Sequence, residues 1–162
     1  MIRPRPLTRV ILSALLVTAV GMAAADGSSP ADDAALAAQA GTLIQAFAAS
    51  LQSELKTAIA AGGLTAAIGV CRIRAPEIGQ SLSTDGWKVG RTSLKSRNPG
   101  NRPDGWEQGV LRRFDAARAA GEGFETLVVS VRETSPEGQH FRLMKAIPTL
   151  PLCLGCHGSE LA

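Results

Sequence analysis

Apolar side chains at Leu36, Leu43, Ile44, Phe47, Leu51, Leu55 and Ile59 recur at intervals near three, four and seven, with small or polar residues between them. Because 3.6 residues complete a turn, such intervals line up on one stripe of a long helix. Its start is marked by Ser29-Pro30 followed by Asp32 and Asp33: a capping hydroxyl, a proline in the first turn, and acids at the positive end of the dipole. Gly62-Gly63 marks its end. A second helical piece, LTAAIGVCRI, places Leu64, Ile68 and Cys71 on one face, so that Cys71 is expected to point inward. Pro76 ends that piece or opens a third, short helix through about Ser83.

The pattern then changes. Residues 87–94 have strand-like composition, whereas SRNPGNRPDG, from Ser96, is crowded with prolines, glycines and asparagines and reads as an ordered loop. A helix is expected from about Asp104, with Trp106, Val110, Leu111 and Phe114 on its apolar side and Gly121 beyond its end. Two strands come next. Residues 124–133 turn Leu127, Val129 and Val131 inward, Ser135 to Gly138 makes the turn, and residues 139–147 turn Phe141, Leu143 and Ile147 inward. Helices followed by a hairpin predict an α+β domain, an antiparallel sheet flanked by N-terminal helices.

The first residues predict export. Arg3, Arg5 and Arg9 precede an apolar run from Val10 to Val20, and Ala23 and Ala25 supply the small-x-small pattern of a signal-peptidase site. The run is too short to span a bilayer as a mature helix. Residues 1–25 are therefore read as a signal peptide cut after Ala25, and residues 26–162 as one domain outside the cytoplasm, periplasmic or secreted, with no further apolar run of membrane length. Three of the 17 basic residues fall in the leader and none of the 14 acidic ones does, so residues 26–162 are formally neutral. The isoelectric point near 9.1 belongs mostly to the leader. It supports neither nucleic-acid nor membrane binding after cleavage.

The chemistry is concentrated in CLGCHG, Cys153 to Gly158, which holds two of the three cysteines and one of the two histidines. Cysteines two residues apart and followed directly by histidine can form thioethers to both vinyl groups of a haem while the histidine reaches the iron. Export suits this, because covalent haem attachment takes place outside the cytoplasmic membrane. A thioredoxin-like dithiol would open a helix after a strand, and too little chain follows Cys156 for one. A zinc site assembled from Cys71, Cys153, Cys156 and His157, or a disulfide stapling a binding module, are the non-haem alternatives. A four-helix bundle ending in CxxCH is the rival fold, and the period-two alternation of VVSVRE and HFRLMK opposes it.

With His157 on one face of the iron, the opposite ligand could be Cys71, Met144 or His140. Met144 in a strand suits packing, and His140 beside the turn suits exposure. Cys71 is a leftover thiol in an oxidising compartment, to be shielded either by iron or by burial. A His/Met pair would make an ordinary electron-transfer cytochrome.

The segments AIGVCRIRAPEIG, GWKVGRTSLKSRNPGNRPDGWE and MKAIPTLPLCLGCHG resemble the Tll-like c-type haem domain family over most of the chain after the leader. The RTSLKxRNPxN block and the terminal CHG carry the resemblance. It implies a PAS-like fold and a single covalent haem c held by Cys153 and Cys156, with His157 and Cys71 as axial ligands. It also implies that Arg91, Arg97, Asn98 and Asn101 form a structured loop near the haem, suited to hydrogen bonding the propionates or to bracing the loop. Chains of that family usually run on past CHG into further strand-forming sequence, whereas this sequence stops at Ala162, so a shortened sheet is expected. Two filled axial positions argue against oxidase or peroxidase chemistry. The expected role is non-enzymatic: redox or gas sensing, or low-potential electron transfer, with an unidentified redox partner or sensor output protein.

Overall fold

The computed structural model describes residues 29–136 and 138–158. The leader and its cleavage site lie outside the described residues. Helix α1 (Pro30–Gly69) begins as its sequence dictates: Ser29 accepts the Asp32 amide N–H at 3.2 Å while the Asp32 carboxylate accepts that of Ser29 at 2.9 Å. It is broken at Gly62 and Gly63, where the backbone leaves helical geometry. Gly63, at φ 65° and ψ −162°, occupies a region essentially closed to residues with a Cβ. The two helical pieces expected on either side of the glycines are thus present, joined by a sharp bend.

The bend lets the second piece fold back on the first. Leu55, Ala67 and Val70 form one buried cluster, with Leu51, Ala58, Ile59 and Cys71 packed round it. Past it, a π-helical turn (Val70–Arg74) leads into α2 (Ala75–Ser81), whose Ala75 and Ile78 pack with Phe47, Leu51, Leu82 and Val89. Helix α3 (Gly105–Ala119) is capped reciprocally by Asp104 and Glu107 and buries Val110 and Phe114 against Leu127.

Strands β1 (Val128–Ser135) and β2 (Gly138–Lys145) pair antiparallel from Val128 with Lys145 to Ser135 with Gly138. The domain is therefore α+β, with a two-stranded sheet among the described residues. Both sheet faces are partnered. Val129 and Met144, opposite one another, join the Val110 and Phe114 cluster on α3. On the other face Arg132 bonds Asp33 of α1 at 2.5 Å, and Phe141 meets Trp87 edge to face with ring centroids 6.4 Å apart. Arg142 ties β2 to the start of α3, bonding the Asp104 carboxylate at 2.6 Å and lying 4.3 Å over the Trp106 ring.

Three sequence expectations change. Residues 87–94 form no strand: the Val89 N–H bonds the Ser83 hydroxyl at 2.9 Å and its side chain packs on Phe47 and Ile78, so the segment is an extended strap over α2. Gly79 makes that approach possible, since a Cβ there would stand 2.8 Å from the Val89 carbonyl oxygen. Ile147 lies beyond β2 and is 62% exposed. Finally, Ala67 and Val70, not the Leu64, Ile68 and Cys71 face, enter the core, leaving Cys71 half-buried at its edge.

By length and composition alone, the helical run Pro30–Ser81 also reaches the hydropathy of a membrane span, 1.3 over its most apolar window. The sequence pattern had suggested no such run. Alanine raises the average here while contributing little surface, and a core helix or an export signal reaches the same value.

The bend generates a prediction of opposite signs for two neighbouring glycines. Gly63→Ala should destabilise the domain by about 1–3 kcal/mol through backbone strain. Gly69→Ala, in regular helix with nothing within 4 Å of the added methyl, should be neutral or stabilise by about 0.4–1 kcal/mol. Urea unfolding of the two variants checks both.

Candidate functional site

The CLGCHG motif forms a short helix, α4 (Pro151–His157), entered from an extended Leu150 with proline in its first turn. This departs from the sequence reading, which placed no helix there. Cys153 is its third residue and the helix closes one residue after Cys156, so neither thiol has a long helix behind it. Helical spacing puts Cys153, Cys156 and His157, at i, i+3 and i+4, on one side. All three cysteines are free thiols, each half-buried.

Helix α4 is seated on the folded-back end of α1. Leu152 packs into the Leu55, Ala67 and Val70 cluster, the same cluster that Cys71 borders. Gly155 lies against Leu64 so closely that a Cβ would stand 3.0 and 3.1 Å from its two methyl carbons. Thus the residue between the two cysteines is a contact point.

Cys71 is the second residue of the π-helical turn. There the Ala75 N–H bonds the Val70 carbonyl five residues back, one residue wider than an α-helical turn. The extra residue is visible in the burial: Ala67 and Val70 are buried, then Ala75 and Ile78, a step of five in place of four. The wide turn keeps both ends in the core while the intervening residues, Cys71 among them, lie at or beyond its edge. Arg74, pushed outward, bonds Glu54 on α1 at 2.7 and 2.8 Å and pairs with Glu77. Its guanidinium holds the Glu54 carboxyl below the usual carboxylate range.

The loop joining α2 to α3 ties these two segments together. Arg91 donates from Nη2 to the Cys71 carbonyl at 2.9 Å, and Arg97 donates from Nη1 to the Cys156 carbonyl at 3.1 Å. Asn98 braces the loop itself: its side chain accepts the Gly100 N–H at 2.9 Å and caps the 3₁₀ turn Pro99–Asn101. The Asn101 carbonyl accepts from the Thr92 hydroxyl at 2.9 Å. Of the four loop residues singled out in the sequence, the arginines reach the cysteine segments and the asparagines shape the loop.

His157 sits where these parts meet. Partial burial first, and then the positive charges of Arg97 and Arg91, hold its imidazole below its ordinary value of 6.5. Its neutral, metal-ligating form is thereby favoured. The other axial candidates lie elsewhere: Met144 packs with Val110, Phe114 and Leu127, and exposed His140 lies 2.9 Å from the Ser135 hydroxyl. Among the described residues no three His, Cys, Asp or Glu side chains are grouped to hold a metal ion, so Cys71, Cys153, Cys156 and His157 do not form a zinc cage.

The residues fit a covalent haem by the chemistry of the donor set: two thiols and an imidazole on one helix side, with a third thiol on the segment it packs against. Exposed apolar side chains flank them, Leu64 at 46% and Ile68 at 57% on α1 and Leu154 at 52% on α4. The sequence did not single out the Leu152 anchor, the Leu64 contact or the π-turn. The glycine inside the motif was the available signal for close approach.

The His157 environment fixes a pH dependence for the haem-free protein. The folded imidazole takes up its proton at lower pH than the unfolded chain's, so between the two values the unfolded chain binds more protons. Stability is then full above about 6.5 and falls as pH drops through the folded value. NMR titration should place the imidazole below 6.5 and find it raised in Arg97→Ala; an unshifted imidazole would contradict the arrangement.

No curated protein and no solved structure matched this chain. A family model described as Tll0287-like does match, over residues 29–162, from the cap of α1 to the end of the sequence. That span contains Cys71, the Arg91 to Asn101 loop and the CLGCHG helix, the three parts the fold brings together, and the chain therefore belongs to the Tll0287-like family.

Proposed function

We propose that the protein is an exported c-type cytochrome with one haem, held by thioethers from Cys153 and Cys156, with His157 and Cys71 as axial ligands. Family membership supports a cytochrome-type domain. The observation that carries the finer reading is the seat of α4: Leu152 packs in the cluster that Cys71 borders, and one loop bonds the carbonyls of both Cys71 and Cys156. The PAS-like architecture implied by the sequence motifs belongs to this reading, with the hairpin and its flanking helices as the parts that support it.

When bound, the haem supplies a one-electron couple. The protein's residues set its character. An anionic Cys71 sulfur favours the ferric state and so a low potential, and the positive iron in turn favours the deprotonated sulfur. Arg91 fixes the backbone at Cys71, and Arg97 fixes it at Cys156, one residue before His157. With both axial positions taken by side chains, oxygen or peroxide would have to displace one, which suits low-potential electron transfer or redox and gas sensing better than enzymatic turnover. The placement of Met144 in the α3 core gives no support to a His/Met cytochrome.

Two measurements test this. Haem staining of a denaturing gel should be positive for the exported protein and be lost in the Cys153→Ala, Cys156→Ala double variant; a stain that persists overturns covalent attachment at these residues. Cys71→Ala should abolish the low-spin ferric spectrum, raise the potential and admit carbon monoxide, whereas Met144→Ala should leave spectrum and potential unchanged. The reverse pattern would assign the distal ligand to methionine.

A further inference from the structure

Positive charge is gathered in one segment. Residues 86–103 contain Lys88, Arg91, Lys95, Arg97 and Arg102 and no acid, with Asp85 and Asp104 just outside. From residue 26 onward the sequence is formally neutral, so the excess is balanced by acids elsewhere. Other arginines are paired with carboxylates: Arg74 with Glu54 and Glu77, Arg132 with Asp33, Arg142 with Asp104, Glu107 and Glu133. Among the described residues, Lys88, Arg91, Lys95 and Arg102 have no carboxylate at ion-pair distance. The bond from Arg91 goes to a neutral carbonyl, which leaves its charge uncompensated.

The loop is also shaped. Thr92 bonds the Asn101 carbonyl, drawing its two ends together, and Ser96 bonds the Asn98 carbonyl at 2.5 Å within it. Lys88, Lys95 and Arg102 are exposed, and Leu94 stands among them at 42% exposure. The arginine bonds to the Cys71 and Cys156 carbonyls anchor this cationic surface beside the donor set.

Solvated cations round one exposed apolar side chain complement an acidic protein surface and offer little to a hydrophobic one. The loop's one aromatic residue, Trp87, is engaged with Phe141, so no aromatic platform is open to stack a nucleic-acid base.

We propose that the loop over residues 86–103 docks an acidic protein partner and steers it to the Cys71, Cys153, Cys156 and His157 set. That the docked partner exchanges electrons rests on the haem reading above. That the loop binds an acidic protein does not.

The probe is a fluorescent peptide of about twelve glutamates, a minimal acidic surface, and its binding by the full chain is followed by anisotropy. Affinity should fall at least about tenfold between low salt and about 0.15 M, as screened charge requires. Lys95→Glu with Arg102→Glu should weaken binding about tenfold or more at low salt. Arg112→Glu with Arg113→Glu, the same change in net charge on the exposed side of α3, should stay within about twofold of the unsubstituted protein. Lys95→Gln with Arg102→Gln, which adds no acid, should weaken it about threefold and guards against misfolding of the glutamate variant. Equal losses in the two glutamate variants would overturn the proposal, as would binding indifferent to salt. So would retention on phosphatidylglycerol vesicles without peptide binding, which would assign the loop to a membrane surface. Because this readout needs no haem, a negative haem stain would sink the cytochrome reading and leave the docking result standing.

Discussion

The architecture turns on the backbone at Gly63. In a straight helix Leu55 and Ala67 would be separated by about 18 Å of rise, too far to touch, yet they share one buried cluster. The break at Gly62 and Gly63 closes that distance, and a φ of 65° with ψ of −162° is available to glycine almost alone. Everything at the candidate site is built on the folded-back segment: Leu64 receives Gly155, Ala67 and Val70 receive Leu152, and Cys71 borders the same cluster.

Once the bend exists, packing and hydrogen bonding divide the work. Apolar contact seats α4 but does not orient it, because Leu152 alone is a single anchor. Orientation comes from the loop, whose two arginines reach backbone carbonyls on the two segments that must face each other. A carbonyl acceptor leaves the guanidinium charge in place. The same bonds that position the cysteine segments therefore keep positive charge beside His157, which disfavours its protonation and favours the form that can ligate a metal.

The other half of the domain is organised separately. Arg142 joins β2 to the cap of α3 through Asp104, with the Trp106 ring beneath it. Burial works against the Asp104 charge, but the Glu107 amide and Arg142 outweigh it and hold the carboxyl below its usual range. Met144 belongs to that half by packing and His140 to its exposed turn. The two halves keep the alternative axial residues apart from the CLGCHG helix, a separation that helps a single thiol, Cys71, be the facing donor.

Local chemistry was legible in the sequence because it is local. The Ser29 and Asp104 caps, the glycine break, the hairpin register and the CLGCHG spacing are each set by residues within a few positions of one another, and the structure places them accordingly. What the sequence could not fix depended on distant partners. Residues 87–94 have the composition of a strand, but a strand needs a neighbouring edge, and here the neighbour is α2 with its glycine. The inward face of residues 64–71 was misjudged because helical periodicity assumes four-residue turns, and the π-turn adds a fifth. The arginines were chosen for a role at the site, yet which carbonyls they reach was decided only when the bend in α1 brought Cys71 and Cys156 within range of one loop.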